Sequence, residues 1–469
     1  MFTDLLFYQA TPAVAETYMT RRGAIEFLRQ DTSWRSSWTQ IVPGSFGGNN
    51  LTDLLFYDAS AGVGEVYTSD GTGGIRFLRQ YTGWRSSWTT IVPGNFAGDG
   101  RTDLLFYDAS AGVGEFYRQR ADGDFVRHRT FEGWRGSWTQ IVPGNFGGDG
   151  LTDLLFYDAS AGVGEFYRTT ADGIALLRTH EGWRQSWKQI VPGNFGGDGL
   201  TDLLFYDASS GVGEFYAVTD GGGISQIRTH EGWRTTWDQI VPGNFGGDGH
   251  TDLLFYDASA GVGEFYAVAD GGGISQLRSH EGWRPSWKQI VPGLLAPERC
   301  LHIHLRILQQ PSRFTIQQML DGMRQVYVSA GIRVSVSTVR NLNLPGLLTV
   351  DIGECKDGFG DNIPGDVGEL YRHRHASEND VAIFFVSATV PAANGCAKHP
   401  PGQPGAIVTS GASQWTLGHE IGHVFGLGHT DNDRRLMFGD GTDNIVDLPP
   451  DLADSEKIRF ITSHFVHDH

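Results

Sequence analysis

Apolar and polar residues recur along the first three fifths of the chain with a period near 50. The hexapeptide Thr-Asp-Leu-Leu-Phe-Tyr starts at Thr3, Thr52, Thr102, Thr152, Thr201 and Thr251, in steps of 49, 50, 50, 49 and 50 residues. A fixed period of this length signals a propeller or an array, built from one repeated supersecondary unit. In the copy that begins at Thr152, four short β-prone runs cover 154–157, 163–167, 174–178 and 187–191, separated by Gly, Asp, Ala and Ser. Leu154 and Phe156 point one way while Leu155 and Tyr157 point the other, so both faces are apolar. Such a strand needs neighbours on both sides, as in the packed blades of a propeller.

The pattern changes after residue 295. Residues 302–308 alternate, with Ile303, Leu305 and Ile307 on one face, which predicts a half-buried strand. Thr315-Ile316-Gln317-Gln318 has capping-box form, and Ile316, Met319, Leu320, Met323, Val326 and Tyr327 recur at helical spacing up to Gly331. Ile332, Val334 and Val336 alternate again, giving strand, helix, strand, the opening of an α/β layer with parallel pairing. The apolar run 381–386 predicts a fully buried strand. Ala406-Ile407-Val408 is expected to form the sheet edge that an extended substrate would pair with, and Leu452, Ile458, Ile461 and Phe465 predict a closing helix. The fold expected is multidomain: an all-β propeller of about six four-stranded blades over 1–295, then an α/β domain over 296–469.

Composition narrows the function classes. The net charge of −18, without a basic cluster, argues against nucleic acid as a partner. No run of 18 apolar residues exists, so no membrane span is expected, and no leader segment is recognisable at the start. Cys300, Cys355 and Cys396 all follow residue 295. One disulfide leaves one thiol over, and Cys355 with Cys396 is the preferred pair because both flank predicted loops. His302, His304, His373, His375 and His399 read as solvent-facing and not as ligands.

The stretch 419–429 reads HExxHxxGxxH. His419 and His423 are four apart, one turn above each other on one helix face, close enough to hold a single ion. Gly426 lets the chain leave the helix through a conformation that a Cβ would resist, returning His429 as a third ligand. Zn2+ on three neutral imidazoles keeps its charge, activates water in the open position and polarises a substrate carbonyl. Glu420, one step round from His419, is placed to accept that water's proton. The competing reading is an amphipathic core helix with Leu417, Ile421 and Val424 inward and histidines satisfied by neighbours.

At these residues the chain resembles the metzincin clan of zinc endopeptidases. The resemblance implies a methionine-containing turn beneath the metal, matched by Met437 eight residues past His429, and direct attack by activated water with no covalent intermediate. Some members carry a tyrosine two residues after this methionine, where this chain has Gly439, and Thr430-Asp431 fits no single subfamily. The resemblance further implies secretion, a protein or peptide substrate, and a pocket wall formed by 438–446.

The repeat, in Asn145-Phe146-Gly147-Gly148-Asp149-Gly150-Leu151-Thr152-Asp153, resembles the FG-GAP or VCBS repeat, whose loop joins the first two strands of a blade. That register implies that the chain opens on a second strand, 4–8, and that the last repeat ends with a first strand, 287–292. Together these would close a six-bladed ring without exposed edges, the alternative being an incomplete start with one blade missing. The same resemblance implies Ca2+ on the loops, through Asn95, Asp99 and Asp103, Asn145, Asp149 and Asp153, Asn194, Asp198 and Asp202, and Asn244, Asp248 and Asp252. Gly147 stands where that family has a ligand, and a tight Asp-Gly turn with aspartates capping backbone amides is the equal alternative.

Twelve of the 13 tryptophans lie in pairs such as Gly182-Trp183-Arg184-Gln185-Ser186-Trp187, so any role they play is repeated. Trp183 with Arg184, and Trp233 with Arg234, could stack on and hydrogen-bond a glycan; alternatively the indoles wedge blades together under an Arg. The combined expectation is a zinc-dependent endopeptidase targeted by its propeller to a glycan or protein surface. The rival expectation is a glycan-binding or adhesion protein with a vestigial peptidase domain.

Overall fold

The computed structural model describes residues 2–47, 49–170, 173–355, 363 and 365–468. The chain divides into two compact units, residues 1–69 with 73–295, and residues 296–469 with 70–72.

The first unit is a six-bladed β-propeller of four-stranded antiparallel sheets. The repeated hexapeptide forms the second strand of each blade, and all six residues of Asp153–Asp158 are buried, as both-face apolarity requires. Leu155 and Tyr157 pack in one inter-blade cluster while Leu154 and Phe156 enter the next. Closure is through the chain termini of the unit: Gln289–Gly293 pairs antiparallel with Asp4–Gln9, in the register Asp4 to Gly293 and Tyr8 to Gln289. The mixed blade thus leaves no edge strand at the junction.

The second unit is built on a sheet in the order Ile332–Asn341, Arg299–Ile307, Val381–Val386, Gly405–Thr409, Gly395–Cys396. The first four strands run parallel and the last is antiparallel to its neighbour. Val466–Asp468 adds antiparallel to the start of Arg299–Ile307. Val381–Val386 is buried throughout: Val381, Ile383 and Phe385 face the core shared with the helices Ile316–Tyr327 and Thr416–Val424. Ala382, Phe384 and Val386 face a second core with Val367, Leu370 and Tyr371 of the helix Gly365–Tyr371. Thr315 caps the helix Ile316–Tyr327 through a full capping box.

Several expectations are corrected. Arg299–Ile307 is not half-buried, because sheet neighbours and cores cover both faces. The Arg306 side chain is wholly buried, donating to the carbonyls of Arg374 and His375 at 2.8 Å. Residues 406–408 are not the sheet edge, since Gly395–Cys396 lies outside them. In the closing helix Asp454–Ile461, Phe460 is the buried residue and Ile458 is exposed, so the apolar spacing misplaced the inward face. His304 and His399 are buried: His304 bonds Thr338 and Asp380, and burial holds the His399 imidazole below its ordinary pKa. Cys355 is joined to Cys396, and Cys300 is a buried thiol. Among the described residues no helix is long and apolar enough to cross a membrane.

Candidate metal centre

His419 and His423 both sit in the helix Thr416–Val424, which every one of its nine residues helps bury. The helix ends where Gly426 adopts φ +80°, with its N–H on the His423 carbonyl and the Leu427 N–H on the Gly422 carbonyl. An L side chain resists this left-handed backbone, so glycine is what allows the turn. His429 is carried back by the next segment, which the Thr430 N–H to Met437 carbonyl bond of 2.9 Å ties to the turn at 435–438.

The result is a convergence of three Nε2 atoms. They lie 3.1 Å apart for His419 and His423, 3.0 Å for His423 and His429, and 3.3 Å for His419 and His429. Tetrahedral zinc with bonds of about 2.0–2.1 Å requires ligand nitrogens about 3.3 Å apart. No other group of three or more His, Cys, Asp or Glu side chains among the described residues meets in this way. His419 Nδ1 lies 2.8 Å from the Leu436 carbonyl and His423 Nδ1 2.8 Å from the Leu427 carbonyl. Carbonyls only accept, so both Nδ1 atoms carry the proton and both Nε2 lone pairs are left for a cation. Converging lone pairs without hydrogens would repel; the donor set therefore fits Zn2+.

Glu420 is buried beside the trio and faces the outermost strand. A Cβ built on Gly395 would lie 2.6 Å from Glu420 Oε1, so the carboxylate occupies space that only glycine leaves. Met437 is fully buried in the same core, and a Cβ on Gly422 would come within 2.5 Å of its Sδ. The turn that carries Met437 thus packs against the helix that carries His419 and His423. Gly439 packs against His429, where a Cβ would stand 3.3 Å from that of the histidine. In 438–446, Thr442 is buried and its hydroxyl meets those of Ser413 and Thr416 at 2.7 and 3.0 Å, at the start of the metal helix.

Neither Gly395 nor the carbonyls of Leu427 and Leu436 was legible beforehand. A backbone carbonyl carries no residue signature, and Gly395 lies outside the motif.

The propeller candidates resolve differently. Asp153 Oδ2 accepts from the Phe146 and Gly147 amides at 3.0 and 2.6 Å, and Oδ1 from Thr169 at 2.8 Å. Asp202 and Asp252 bind the matching amides of their blades, and Asp103 those of Ala97 and Gln119. Burial raises the pKa of all four. Asn145, Asn194, Asn244 and Asn95 accept from loop amides, as do Asp149, Asp198, Asp248 and Asp99. These are the bonds of the turn alternative.

At the tryptophan pairs, Arg184 lies 4.8 Å above the Trp187 ring and pairs with Glu214 of the next blade; Arg234 lies 5.0 Å above Trp237 and pairs with Glu264 at 2.6 Å. Trp183 stacks on His180 and meets Phe205 edge-on. The wedge role is therefore realised, and Trp183, Arg184, Trp233 and Arg234 also line cavities between blades.

No family model and no curated protein matches the chain. Among solved structures it is similar to a Bacteroides fragilis protein described as a candidate 6-phosphogluconolactonase, with 11% identity and TM-score 0.40 over 62% of this chain and 98% of the other. It is similar to the Pseudomonas aeruginosa periplasmic gluconolactonase PpgL, with 16% identity and TM-score 0.37 over 60% and 80%. A lectin of Agrocybe aegerita that recognises non-reducing terminal N-acetylglucosamine gives 12% identity and TM-score 0.39 over 62% and 85%. At this level of similarity no activity is carried over from any of them. The endopeptidase expectation is corrected: these three similar structures are named as lactonases and a lectin, and nothing in them supports cleavage of a peptide bond by this chain. The peptide bond had rested on the resemblance alone, since three imidazoles and a carboxylate specify an ion and a water but not the bond that is cut.

Proposed function

We propose that the second unit is a zinc-dependent hydrolase acting on an acyl substrate, with His419, His423 and His429 as ligands and Glu420 as general base. The observation that carries this reading is the approach of three Nε2 atoms to 3.0–3.3 Å, with two of the rings locked by backbone carbonyls into the ligand tautomer. Bound there, zinc supplies Lewis acidity and lowers the pKa of a water toward about 7.

The protein's own groups do the rest. Glu420 is buried, which limits its contact with bulk water. Glu420 takes the proton of the attacking water and returns it to the leaving group as the tetrahedral species collapses. Gly395 leaves room for that carboxylate, and the Leu436 and Leu427 carbonyls hold the imidazoles against rotation. From the metzincin resemblance this proposal keeps the architecture of the metal centre: the helix, the glycine exit and the methionine turn.

The test is elemental analysis of the purified chain together with turnover on a panel of chromogenic esters, lactones and amides. One zinc per chain, and hydrolysis lost in Glu420→Gln with zinc retained, is the result expected. A metal-free wild type after zinc reconstitution overturns the reading.

A further inference from the structure

Each blade junction of the propeller carries an Arg–Glu pair: Arg284 with Glu16, Arg35 with Glu65, Arg85 with Glu115, Arg135 with Glu165, Arg184 with Glu214, and Arg234 with Glu264. In every case the glutamate is buried and its second oxygen accepts from the tyrosine two residues on, as Tyr216 does for Glu214 at 2.7 Å. The six junctions differ in the residue that faces the glutamate across the outer strand pair. Glu16 faces Gln30 and Glu65 faces Gln80, and each amide donates to the same Oε1 that the arginine uses, at 2.6 and 2.7 Å. Glu115, Glu165, Glu214 and Glu264 face Thr130, Thr179, Thr229 and Ser279, whose side chains are too short to do this.

Cavities are present beside two of these four glutamates, Glu214 and Glu264. One of about 310 Å³ is lined by Trp183, Arg184, Glu214 and Tyr216, and one of about 210 Å³ by Trp233, Arg234, Glu264 and Tyr266. These fall at or below the lower end of the about 300–1,000 Å³ typical of small-molecule sites, room for one ring and not for a chain. The walls combine an indole with a paired guanidinium and carboxylate, and Asp207 and Asp257 lie 3.8 and 3.9 Å from the respective guanidinium groups. A guanidinium has five N–H donors and a carboxylate about four acceptor sites, so both retain capacity after pairing with each other. A donor beside an acceptor matches adjacent hydroxyls, each of which both gives and takes a hydrogen bond. The indole edge suits the C–H face of the same ring.

We infer that the propeller binds neutral monosaccharide units at the four junctions where Thr130, Thr179, Thr229 or Ser279 faces the glutamate, and that Gln30 and Gln80 fill the other two from within. The copies would act together on a surface presenting many sugars, with avidity exceeding the single-site affinity. This inference does not depend on the metal centre.

The test uses the full chain and saturation-transfer NMR with methyl pyranosides of fucose, galactose, glucose, mannose and N-acetylglucosamine, with sialyllactose as the charged comparison. The sugar giving the strongest signal is then titrated calorimetrically. The expected result is binding of a neutral pyranoside at up to four sites per chain. Thr130→Gln, Thr179→Gln, Thr229→Gln and Ser279→Gln together should weaken it at least tenfold. Glutamine already occupies two equivalent positions, so this variant is expected to fold, and an unchanged unfolding temperature checks that. Gln30→Thr with Gln80→Thr should raise the number of sites from four toward six. No pyranoside bound, a preference for the sialylated probe, or binding indifferent to the four glutamines overturns the inference.

Discussion

Gly395 and Glu420 share one small space: a Cβ on the glycine would lie 2.5 Å from Glu420 Cγ and 2.7 Å from Cδ. Real Cβ atoms do not approach so closely, so Gly395→Ala must move the carboxylate or the outer strand. No atom of His419, His423 or His429 is among the three nearest to that Cβ. Gly395→Ala should therefore retain one zinc per chain while turnover of the best panel substrate falls at least tenfold, within the range lost when a positioned base is displaced. Unchanged turnover would show that Glu420 is not held by this contact.

Gly422 sits mid-helix, where alanine ordinarily gains about 1 kcal/mol in helix propensity. Here the added methyl meets Met437 Sδ at 2.5 Å and Cε at 3.2 Å in a fully buried core. Overpacking costs about 1–3 kcal/mol and outweighs that gain. Gly422→Ala should lower the midpoint of urea unfolding of the second unit and weaken zinc retention during dialysis.

Zinc should stabilise the native state by mass action, about 2.7 kcal/mol at a free concentration one hundred times the dissociation constant. Chelator-treated protein should show an unfolding temperature that climbs with added zinc. His423→Ala, which removes one of three converging nitrogens, should abolish the response. A wild type whose unfolding temperature ignores zinc would contradict the ligand assignment.

Asp207 illustrates the acid sensitivity of the blades. Burial alone would raise its pKa, but bonds from Ser209, Ser186, Ser210 and the Ser209 amide outweigh that and lower it to about 2. A carboxylate whose folded pKa lies below its unfolded value contributes stability above the unfolded pKa, and that contribution is lost as pH falls through the folded one. Asp58, Asp108, Asp158 and Asp257 are lowered in the same way. Ser186→Ala should cost about 1.5–3 kcal/mol near neutral pH. The difference from wild type should shrink from about pH 4 downward and vanish below about pH 2, as read from urea midpoints across that range.

The repeat was legible because its period and its two-faced apolar strands leave few ways to bury both faces, and the six-bladed ring closed by 289–293 against 4–9 follows that register. The meeting of His419, His423 and His429 was legible because the spacing of residues on a helix and past its glycine exit is a property of the sequence. Burial away from these histidines was not. Ile458 and Ile461 kept helical spacing yet face outward, while Phe460 faces in, where Phe425 stacks on it and Tyr327 meets it edge-on. His304 and Arg306 read as the polar face of a half-buried strand, but strands on both sides and carbonyls from 374 and 375 enclose them.

The chain's own order of residues determined the repeat, its strands, and a histidine–glutamate spacing that only a helix with a glycine exit can bring to one point. Tertiary structure decided which space Glu420 occupies, which carbonyls orient the imidazoles, and which glutamates have a glutamine across from them. Those relations are set by how the chain turns and how its strands pair, and they exist only once the helix has its exit and the sheets have chosen their register.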